Sequence, residues 1–312
     1  MIVAGPTCGG KSALALGLAQ ALDGVVINAD SMQVYRELRI VTARPTVEEE
    51  AQAPHALYGI RPAAEAGSVA WWRDTALATM DDARAAGRLP ILCGGTGLYF
   101  LSLTDGIAEI PPIPDEARAE ARWLLAEQGP SGLHDALAKV DQATAARLRP
   151  QDSQRVARAW EVWRGTGRGL ASWQSEGATP APWRFSAVLI DPPRDALRTA
   201  IAGRFAAMVE HGALDEVRAL LALDLASSLP AMRAHGVPEL AAHLRGETTL
   251  AEACRRAEIV TGQYTKRQAT WFRRRELAPA ERTHMIHARV AGWAQFLESE
   301  RAEIFRIIQT PG

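Results

Sequence analysis

The stretch Gly5-Pro-Thr-Cys-Gly-Gly-Lys-Ser12 decides the fold of this chain. Its spacing is that of a P-loop: a glycine, four residues, a second glycine, then a lysine and a serine. An apolar run of strand length, residues 1–4, precedes the loop, and an apolar helical pattern, residues 12–22, follows it. Because the motif binds phosphate in this strand–loop–helix context, the sequence predicts a site for a phosphate or a diphosphate.

Each part of the loop has a chemical role in such a site. Glycines let backbone N–H groups curl around an anion without steric clash, and the following helix points its N-terminus at that anion. Lys11 adds a positive charge, and the hydroxyl of Ser12 is a candidate ligand for Mg²⁺. The alternative is a glycine-rich turn with an incidental lysine, which the complete motif in its context disfavours.

The composition is typical of a soluble globular protein. Of 312 residues, 47% are hydrophobic and 23% are charged, and the formal net charge is −1. No apolar run has the length of a membrane span, and no signal peptide precedes the P-loop, so we expect a cytoplasmic protein. Cys8, Cys93 and Cys254 lack metal-ligand spacing and are too few for a disulfide framework.

Charge gives a weak indication of an RNA partner. The near-neutral total argues against a uniformly basic nucleic-acid-binding protein. Between residues 253 and 290, however, nine Arg and Lys stand against three Glu. Local basic faces suit an RNA footprint, but on charge alone ordinary solvated helix faces are the favoured explanation.

Four further apolar runs predict strands, at residues 25–29, 90–93, 186–190 and 284–287. Helical patterns occupy residues 70–86, 194–211, 214–223, 238–244, 250–275 and 290–308. The alternation of strands and helices around a P-loop indicates an α/β fold with a doubly wound parallel sheet.

Two polar turns follow predicted strands. Asp30 ends the second strand, and Gly94-Gly-Thr-Gly-Leu-Tyr99 follows the third. Since ligands in an open parallel sheet bind outside the carboxyl ends of the strands, we expect both turns beside the P-loop. An aspartate in this position is also a common cap of a helix or turn. Position alone leaves the capping and catalytic roles of Asp30 evenly balanced.

The chain divides at the proline-rich stretch Pro111-Pro-Ile-Pro114. We predict that residues 1–114 form the first part of the core, and that residues 115–185 are an all-helical insertion. Residues 186–312 complete the core and form a helical C-terminal region. Within the insertion, Arg155 and Arg158 lie three residues apart, on one face of a helix.

The ordered set of motifs resembles the tRNA dimethylallyltransferases, also called tRNA isopentenyltransferases or IPP transferases. The P-loop alone is generic, whereas the set is specific and extends to residue 271. Beyond the P-loop, the matching stretches are Asp30-Ser-Met-Gln-Val-Tyr35, Thr42-Ala-Arg-Pro45, Ala53-Pro-His55, Gly94-Gly-Thr-Gly-Leu-Tyr99, Gln154-Arg-Val-Ala-Arg158 and Lys266-Arg-Gln-Ala-Thr-Trp271.

The resemblance implies a reaction and its partners. A dimethylallyl group would pass from dimethylallyl diphosphate to N6 of the adenosine 3′ of the anticodon in tRNA, with Mg²⁺ as cofactor. The anticodon stem-loop of tRNA would be the macromolecular partner of a monomer that does not bind membranes. The P-loop would hold the departing diphosphate, although the family is often described as nucleotide-binding or ATP-binding because of this loop.

The resemblance also implies roles for individual residues. It makes Asp30, Thr96 and Lys11 catalytic, with Asp30 as the general base, and makes Ser12 the metal ligand. The residues expected to bind diphosphate or nucleotide are Gly5, Pro6, Thr7, Cys8, Gly9, Gly10, Lys11, Ser12 and Arg204. Those expected to contact tRNA are Asp30, Ser31, Met32, Gln33, Thr96, Arg118, Gln154, Arg155, Val156, Ala157 and Arg158.

One stretch departs from the family pattern. The family usually has Val-Gly-Tyr-Arg where this chain has Arg233-Ala-His-Gly-Val-Pro-Glu239. Val237 and Pro238 occupy the Tyr and Arg positions, so contacts from those two side chains are not expected here.

Two other functions fit parts of the sequence. A P-loop small-molecule kinase would share the phosphate loop, the sheet and an insertion that serves as a lid, and Asp30 could act as its base. It would leave the 94–97 turn and the 154–158 helix without a role. An RNA-binding protein without catalysis is disfavoured by the intact Lys11, Ser12 and Asp30.

Overall fold

A computed structural model describes residues 1–309 of the chain. Within that range six strands form one parallel sheet in the order β3-β2-β4-β1-β5-β6. They are β1 (Ile2–Ala4), β2 (Gly24–Asn28), β3 (His55–Ala56), β4 (Leu89–Gly94), β5 (Ala187–Ile190) and β6 (Thr283–Ile286). The predicted parallel P-loop sheet is confirmed, and each predicted strand is found within one residue at either end. Sequence patterns missed β3, because two residues are too short to show an alternation.

The part of the chain that the structure describes contains thirteen α-helices. They are α1 (Lys11–Ala21), α2 (Val47–Glu50), α3 (Val69–Ala85), α4 (Gly97–Thr104), α5 (Asp115–Val140), α6 (Gln142–Ala145), α7 (Ser153–Thr166), α8 (Leu170–Ser175), α9 (Arg194–Glu210), α10 (Ala213–Leu221), α11 (Val237–Leu244), α12 (Leu250–Phe272) and α13 (Glu298–Gln309). Over residues 1–309, no helix combines the length and the apolar character that crossing a membrane requires.

The chain forms two compact units. One contains residues 1–104 and 182–312, and the other contains residues 105–181. The second unit therefore begins ten residues before the predicted boundary at 115 and ends four residues before the predicted boundary at 185. The stretch that precedes α5 belongs to it because Ile113, only 6% exposed, packs with Ala117 of α5 and Val162 of α7.

The helical unit has its own apolar core, in which α5 and α7 pack through Leu133, Leu137, Val156 and Trp160. The short helix α8 lies in a stretch that contains several Gly, Ser and Pro residues. Asp141 supports the start of this helix: Oδ2 of Asp141 accepts a hydrogen bond from the first N–H of α8, at 3.1 Å. A carboxylate there satisfies a backbone donor that a helix leaves unpaired.

The predicted helix over residues 290–308 is wrong in its first half. Residue 290 has no regular secondary structure, Gly292 is extended, Trp293–Gln295 form a single 3₁₀ turn, and α13 begins only at Glu298. Tertiary contacts override the helical pattern. The backbone N–H of Val290 donates to the carbonyl of Gly9 in the P-loop, at 2.9 Å, and the ring of Trp293 packs on Gly17 of α1.

The packing of Trp293 on α1 predicts opposite outcomes for two glycine substitutions. A Cβ on Gly17 would lie 2.3 Å from Cβ of Trp293, so Gly17→Ala should destabilise the fold by roughly 1–3 kcal/mol through overpacking. Gly203 of α9 has open space around its Cα, so Gly203→Ala should stabilise it by about 0.5–1 kcal/mol. Urea unfolding measures both, and equal effects at the two glycines would contradict this account.

Candidate active site

The P-loop joins β1 to α1, and its last turn needs glycine. Gly10 has φ of 96°, in the left-handed region, and a Cβ at this position would lie 1.8 Å from the carbonyl oxygen of Val290. The chain that follows β6 therefore packs directly against the loop. The inner surface of the loop, with its backbone N–H groups, faces the carboxyl edge of the sheet.

Lys11 lies at the mouth of the loop. Its Nζ donates to the carbonyl of Pro6 at 2.9 Å, so the side chain folds back over the loop. Burial is the main cause that lowers the pKa of Lys11, nearby Arg204 acts in the same direction, and the carboxylate of Asp30 opposes both. A poorly hydrated ammonium group beside a second cation is a site that attracts an anion.

The two polar turns expected beside the P-loop meet there. Oδ1 of Asp30 accepts the N–H of Met32 at 2.9 Å, which closes a turn directly after β2. The next residue, Ser31, donates its N–H to Oγ1 of Thr96 at 2.9 Å. Thr96 belongs to the glycine-rich turn after β4, so the carboxyl ends of β2 and β4 are joined by side-chain bonds at this edge.

Gln268 of α12 ties the P-loop to the turn after β4. Its Oε1 accepts from the backbone N–H of Thr7 at 2.8 Å and from the Thr7 hydroxyl at 3.0 Å, while its Nε2 donates to the carbonyl of Gly95 at 2.9 Å. A Cβ on Gly95 would lie 2.2 Å from this Nε2, which explains the glycine. Gln268 lies in the family motif at residues 266–271, but the sequence indicates no role for it because no local pattern links it to Thr7.

Two adjoining cavities open at this edge. The first, of about 440 Å³, is polar and is lined by Lys11 and Ser12 together with Arg204 and Arg289. The second, of about 220 Å³, has an apolar wall. That wall contains Val41, Ile201, Phe205 and Met208.

The two cavities share part of their lining, so they form one cleft with a charged half and an apolar half. The shared residues are Thr7, Cys8, Asp30, Thr42 and Arg204. Among the described residues that line the apolar half, Asp30 is the single carboxylate. It therefore stands where the two halves meet.

Arg204 enters the cleft from α9. Its Nη2 donates to the carbonyl of Thr42 at 3.1 Å, and its Nη1 lies 3.9 Å from Sγ of Cys8 in the P-loop. Nε2 of Gln33 donates to the carbonyls of Thr42 and Ala43, at 2.9 Å each. Gln33, expected to contact RNA, thus has its amide N–H groups directed at the wall of the cleft.

A model of the IPP transferase family matches residues 33–275 of this chain. The chain belongs to the IPP transferase family. It is 58% identical to the tRNA dimethylallyltransferase of Granulibacter bethesdensis over 99% of this chain and 97% of that protein. It is 60% identical to that of Gluconacetobacter diazotrophicus, over 99% of this chain and 93% of that protein.

Solved structures agree with this membership. The full-length tRNA isopentenylpyrophosphate transferase of Bacillus halodurans superposes with a TM-score of 0.67 at 31% identity, covering 99% of this chain and 96% of that one. A eukaryotic dimethylallyltransferase that acts on tRNA superposes with a TM-score of 0.78 at 24% identity, covering 96% of this chain and 76% of that one. The second likeness is one of fold.

The stretch that departs from the family pattern begins a helix. Gly236 precedes the first residue of α11, and its N–H donates to Oε2 of Glu239 at 3.0 Å. Val237 is buried and Pro238 lies in the first helical turn, where a proline is well tolerated. His235, just before this helix, lines the apolar half of the cleft, with its ring 4.8 Å from that of Tyr264.

The remaining residues expected to contact tRNA lie in the helical unit. Arg155 is 76% exposed and pairs with Asp152 at 3.4 Å, and Arg158 is 44% exposed and pairs with Glu161 at 3.3 Å. Arg118, on α5, is also exposed, as is Gln154 at the start of α7, and Ala157 is half-buried. The side chain of Val156 is fully buried in the core of this unit, so it has no surface to offer to RNA.

A magnesium ion would need ligands from outside the protein. Over the described range, no three His, Cys, Asp or Glu side chains form a cluster that could hold a metal. The hydroxyl of Ser12 and the carboxylate of Asp30 line the same cavity, and both are oxygen donors of the kind that Mg²⁺ prefers. Such a site fits a cation that arrives with phosphate oxygens and water.

Proposed function

We propose that this chain transfers the dimethylallyl group of dimethylallyl diphosphate to tRNA, at N6 of the adenosine 3′ of the anticodon. The divided cleft supports the proposal: a phosphate loop with Lys11, Arg204 and Arg289 adjoins an apolar wall, and the carboxylate of Asp30 stands at their border. The relatives named tRNA dimethylallyltransferase support the same reaction. The chain would act as a monomer in the cytoplasm.

The donor matches the two halves of the cleft. Its diphosphate carries the negative charge that Lys11, Arg204 and the P-loop N–H groups attract, and Gly5, Pro6, Cys8 and Gly9 complete this loop. Its five-carbon group is apolar and suits the wall that includes Phe205 and Met208. Mg²⁺ held by Ser12 and the diphosphate would neutralise part of the charge on the leaving group.

The reaction forms a C–N bond and breaks a C–O bond. The N6 amine is a weak nucleophile because its lone pair is delocalised into the adenine ring. Asp30 accepts the proton that N6 loses as the C–N bond forms. The electron pair of the C–O bond leaves with the diphosphate, and Lys11 and Arg204 stabilise that charge as it develops.

The RNA must present an unstacked base. An adenine within a stacked loop cannot reach a carboxylate inside a cleft, so the nucleotide is flipped out. Ser31, Met32 and Thr96, beside Asp30, are placed to contact that nucleotide. Arg118, Arg155 and Arg158 are the proposed phosphate contacts of the helical unit.

A small-molecule kinase would use the same loop for ATP. The apolar half of the cleft disfavours that function, because a phosphoryl acceptor does not require a wall of Val41, Ile201, Phe205 and Met208.

Labelled donors separate the two activities. We expect label from dimethylallyl diphosphate, and none from γ-labelled ATP, to enter anticodon-arm RNA, with Lys11→Ala abolishing most transfer. RNA with guanosine in place of the target adenosine is the control, and labelling by ATP alone would overturn the proposal.

The variant Asp30→Asn distinguishes a role of Asp30 as general base from a role as turn cap. Asparagine retains an oxygen that can accept the N–H of Met32, so the melting temperature and the binding of donor and RNA should stay close to wild type. Asparagine cannot take a proton at neutral pH, so the single-turnover rate should fall by about 10²-fold or more. Near wild-type transfer by this variant would leave Asp30 as a cap or a positioning residue.

The arginine face of α7 gives a separate prediction. Replacing both Arg155 and Arg158 with alanine should weaken RNA binding and reduce the slope of affinity against salt, while donor binding stays unchanged, because fewer counterions are released from phosphates. Filter binding at several salt concentrations measures the slope. Arg245→Ala, an exposed arginine of the other unit, is the matched control. An unchanged slope in the double variant would exclude this face from the RNA footprint.

A further inference from the structure

Three consecutive backbone N–H groups converge on one carboxylate beside the cleft. Oε2 of Glu216 accepts from the N–H groups of Arg39, at 2.8 Å, and Ile40, at 2.7 Å, and Oε1 accepts from that of Val41 at 2.8 Å. Glu216 lies in the first turn of α10, about 175 residues further along the chain.

The backbone at residues 39–44 is built as an anion-binding turn. The N–H of Ala43 bonds to the carbonyl of Ile40 and that of Arg44 to the carbonyl of Arg39, both at 2.9 Å. The turn points its earlier N–H groups in one direction, which forms a concave site for negative charge. Glu216 fills that concavity from within the protein, with hydrogen bonds strengthened by its charge.

The opposite side of the same turn faces the cleft. The carbonyl of Thr42 accepts from Nη2 of Arg204 at 3.1 Å and from Nε2 of Gln33 at 2.9 Å. Val41, the last residue bonded to Glu216, is part of the apolar wall. Glu216 therefore accepts the N–H groups at the start of the turn, while Arg204 donates to the Thr42 carbonyl of the same turn. If the turn moved, the guanidinium group of Arg204 would lose the Thr42 carbonyl as an acceptor at the edge of the diphosphate cavity.

We propose that Glu216 is a positioning residue for the diphosphate site: it fixes the turn at residues 39–43 and thereby aims Arg204 into the cleft. The inference rests on the proposed function for its catalytic consequence, but its structural consequence concerns the binding of diphosphate alone. Glu216 itself does not touch the substrate. Its effect passes through the Thr42 carbonyl to Arg204.

Glu216→Ala should weaken the binding of inorganic diphosphate roughly tenfold or more, because three N–H groups lose a charged acceptor and the turn relaxes. RNA affinity should stay within about twofold of wild type. Asp215→Asn is the matched control, since Asp215 is the adjacent acid of α10 and makes only an exposed ion pair with Arg218. Calorimetry measures the binding of diphosphate whether or not the chain transfers a prenyl group, so failure here is distinct from failure of the proposed function.

Two further measurements separate positioning from general stabilisation. First, acetate should partly restore the binding of diphosphate to Glu216→Ala by filling the vacated concavity, whereas chloride at equal ionic strength should not, and wild type should respond to neither. Second, Glu216→Ala combined with Arg204→Ala should cost little more than Arg204→Ala alone, because both changes disable the same contact. Additive losses without rescue by acetate would show that Glu216 only stabilises the fold.

Glu216→Gln provides the test if the alanine variant does not fold. Glutamine has the same size, but its Nε2 cannot accept the N–H of Val41, so one of the three bonds is lost while the packing remains. We expect a smaller loss of diphosphate binding and faster amide exchange at residues 39–41. Wild-type exchange together with wild-type binding of diphosphate in this variant would overturn the proposal.

Discussion

The structure depends on a close contact between two backbone segments, the P-loop and residue 290. The carbonyl of Val290 lies where a side chain at Gly10 would be, and the N–H of Val290 donates to Gly9 at 2.9 Å. The segment after β6 therefore packs directly against the loop. The left-handed conformation of Gly10 allows this close approach, and both segments line the charged half of the cleft.

The edge of the sheet is assembled by side chains that come from distant parts of the sequence. Gln268 joins the P-loop to the turn after β4, and Thr96 joins that turn to Ser31. Glu216 binds the backbone N–H groups of the turn whose Thr42 carbonyl accepts from Arg204. Each of these groups is polar, and each satisfies backbone N–H or C=O groups that the ends of strands and turns leave unpaired. The result is a rigid rim around a cleft that is charged on one side and apolar on the other.

Sequence patterns predicted the strands and turns that depend on neighbouring residues, but they missed the contacts between residues far apart in the chain. The P-loop, the strands β1, β2, β4, β5 and β6, and the polar turns at Asp30 and Thr96 follow from patterns within ten or so residues. The contacts of Gln268 and Glu216 do not, because their partners lie 261 and 177 residues away. The expected helix at 290 failed for the same reason: its apolar residues are spaced as in a helix, but the ring of Trp293 packs on Gly17 of α1, which lies far away in the sequence.

The cap and base roles of Asp30, which sequence position could not separate, are compatible in the structure. The bond from Met32 uses Oδ1 and holds the carboxylate at the border of the two halves of the cleft. A general base needs a fixed orientation toward its proton, and a side chain anchored by one oxygen has that orientation before substrate arrives. The second oxygen can then point toward the incoming amine while the first maintains the turn. If Asp30 is the base that we propose, its cap is the means by which that base would be positioned.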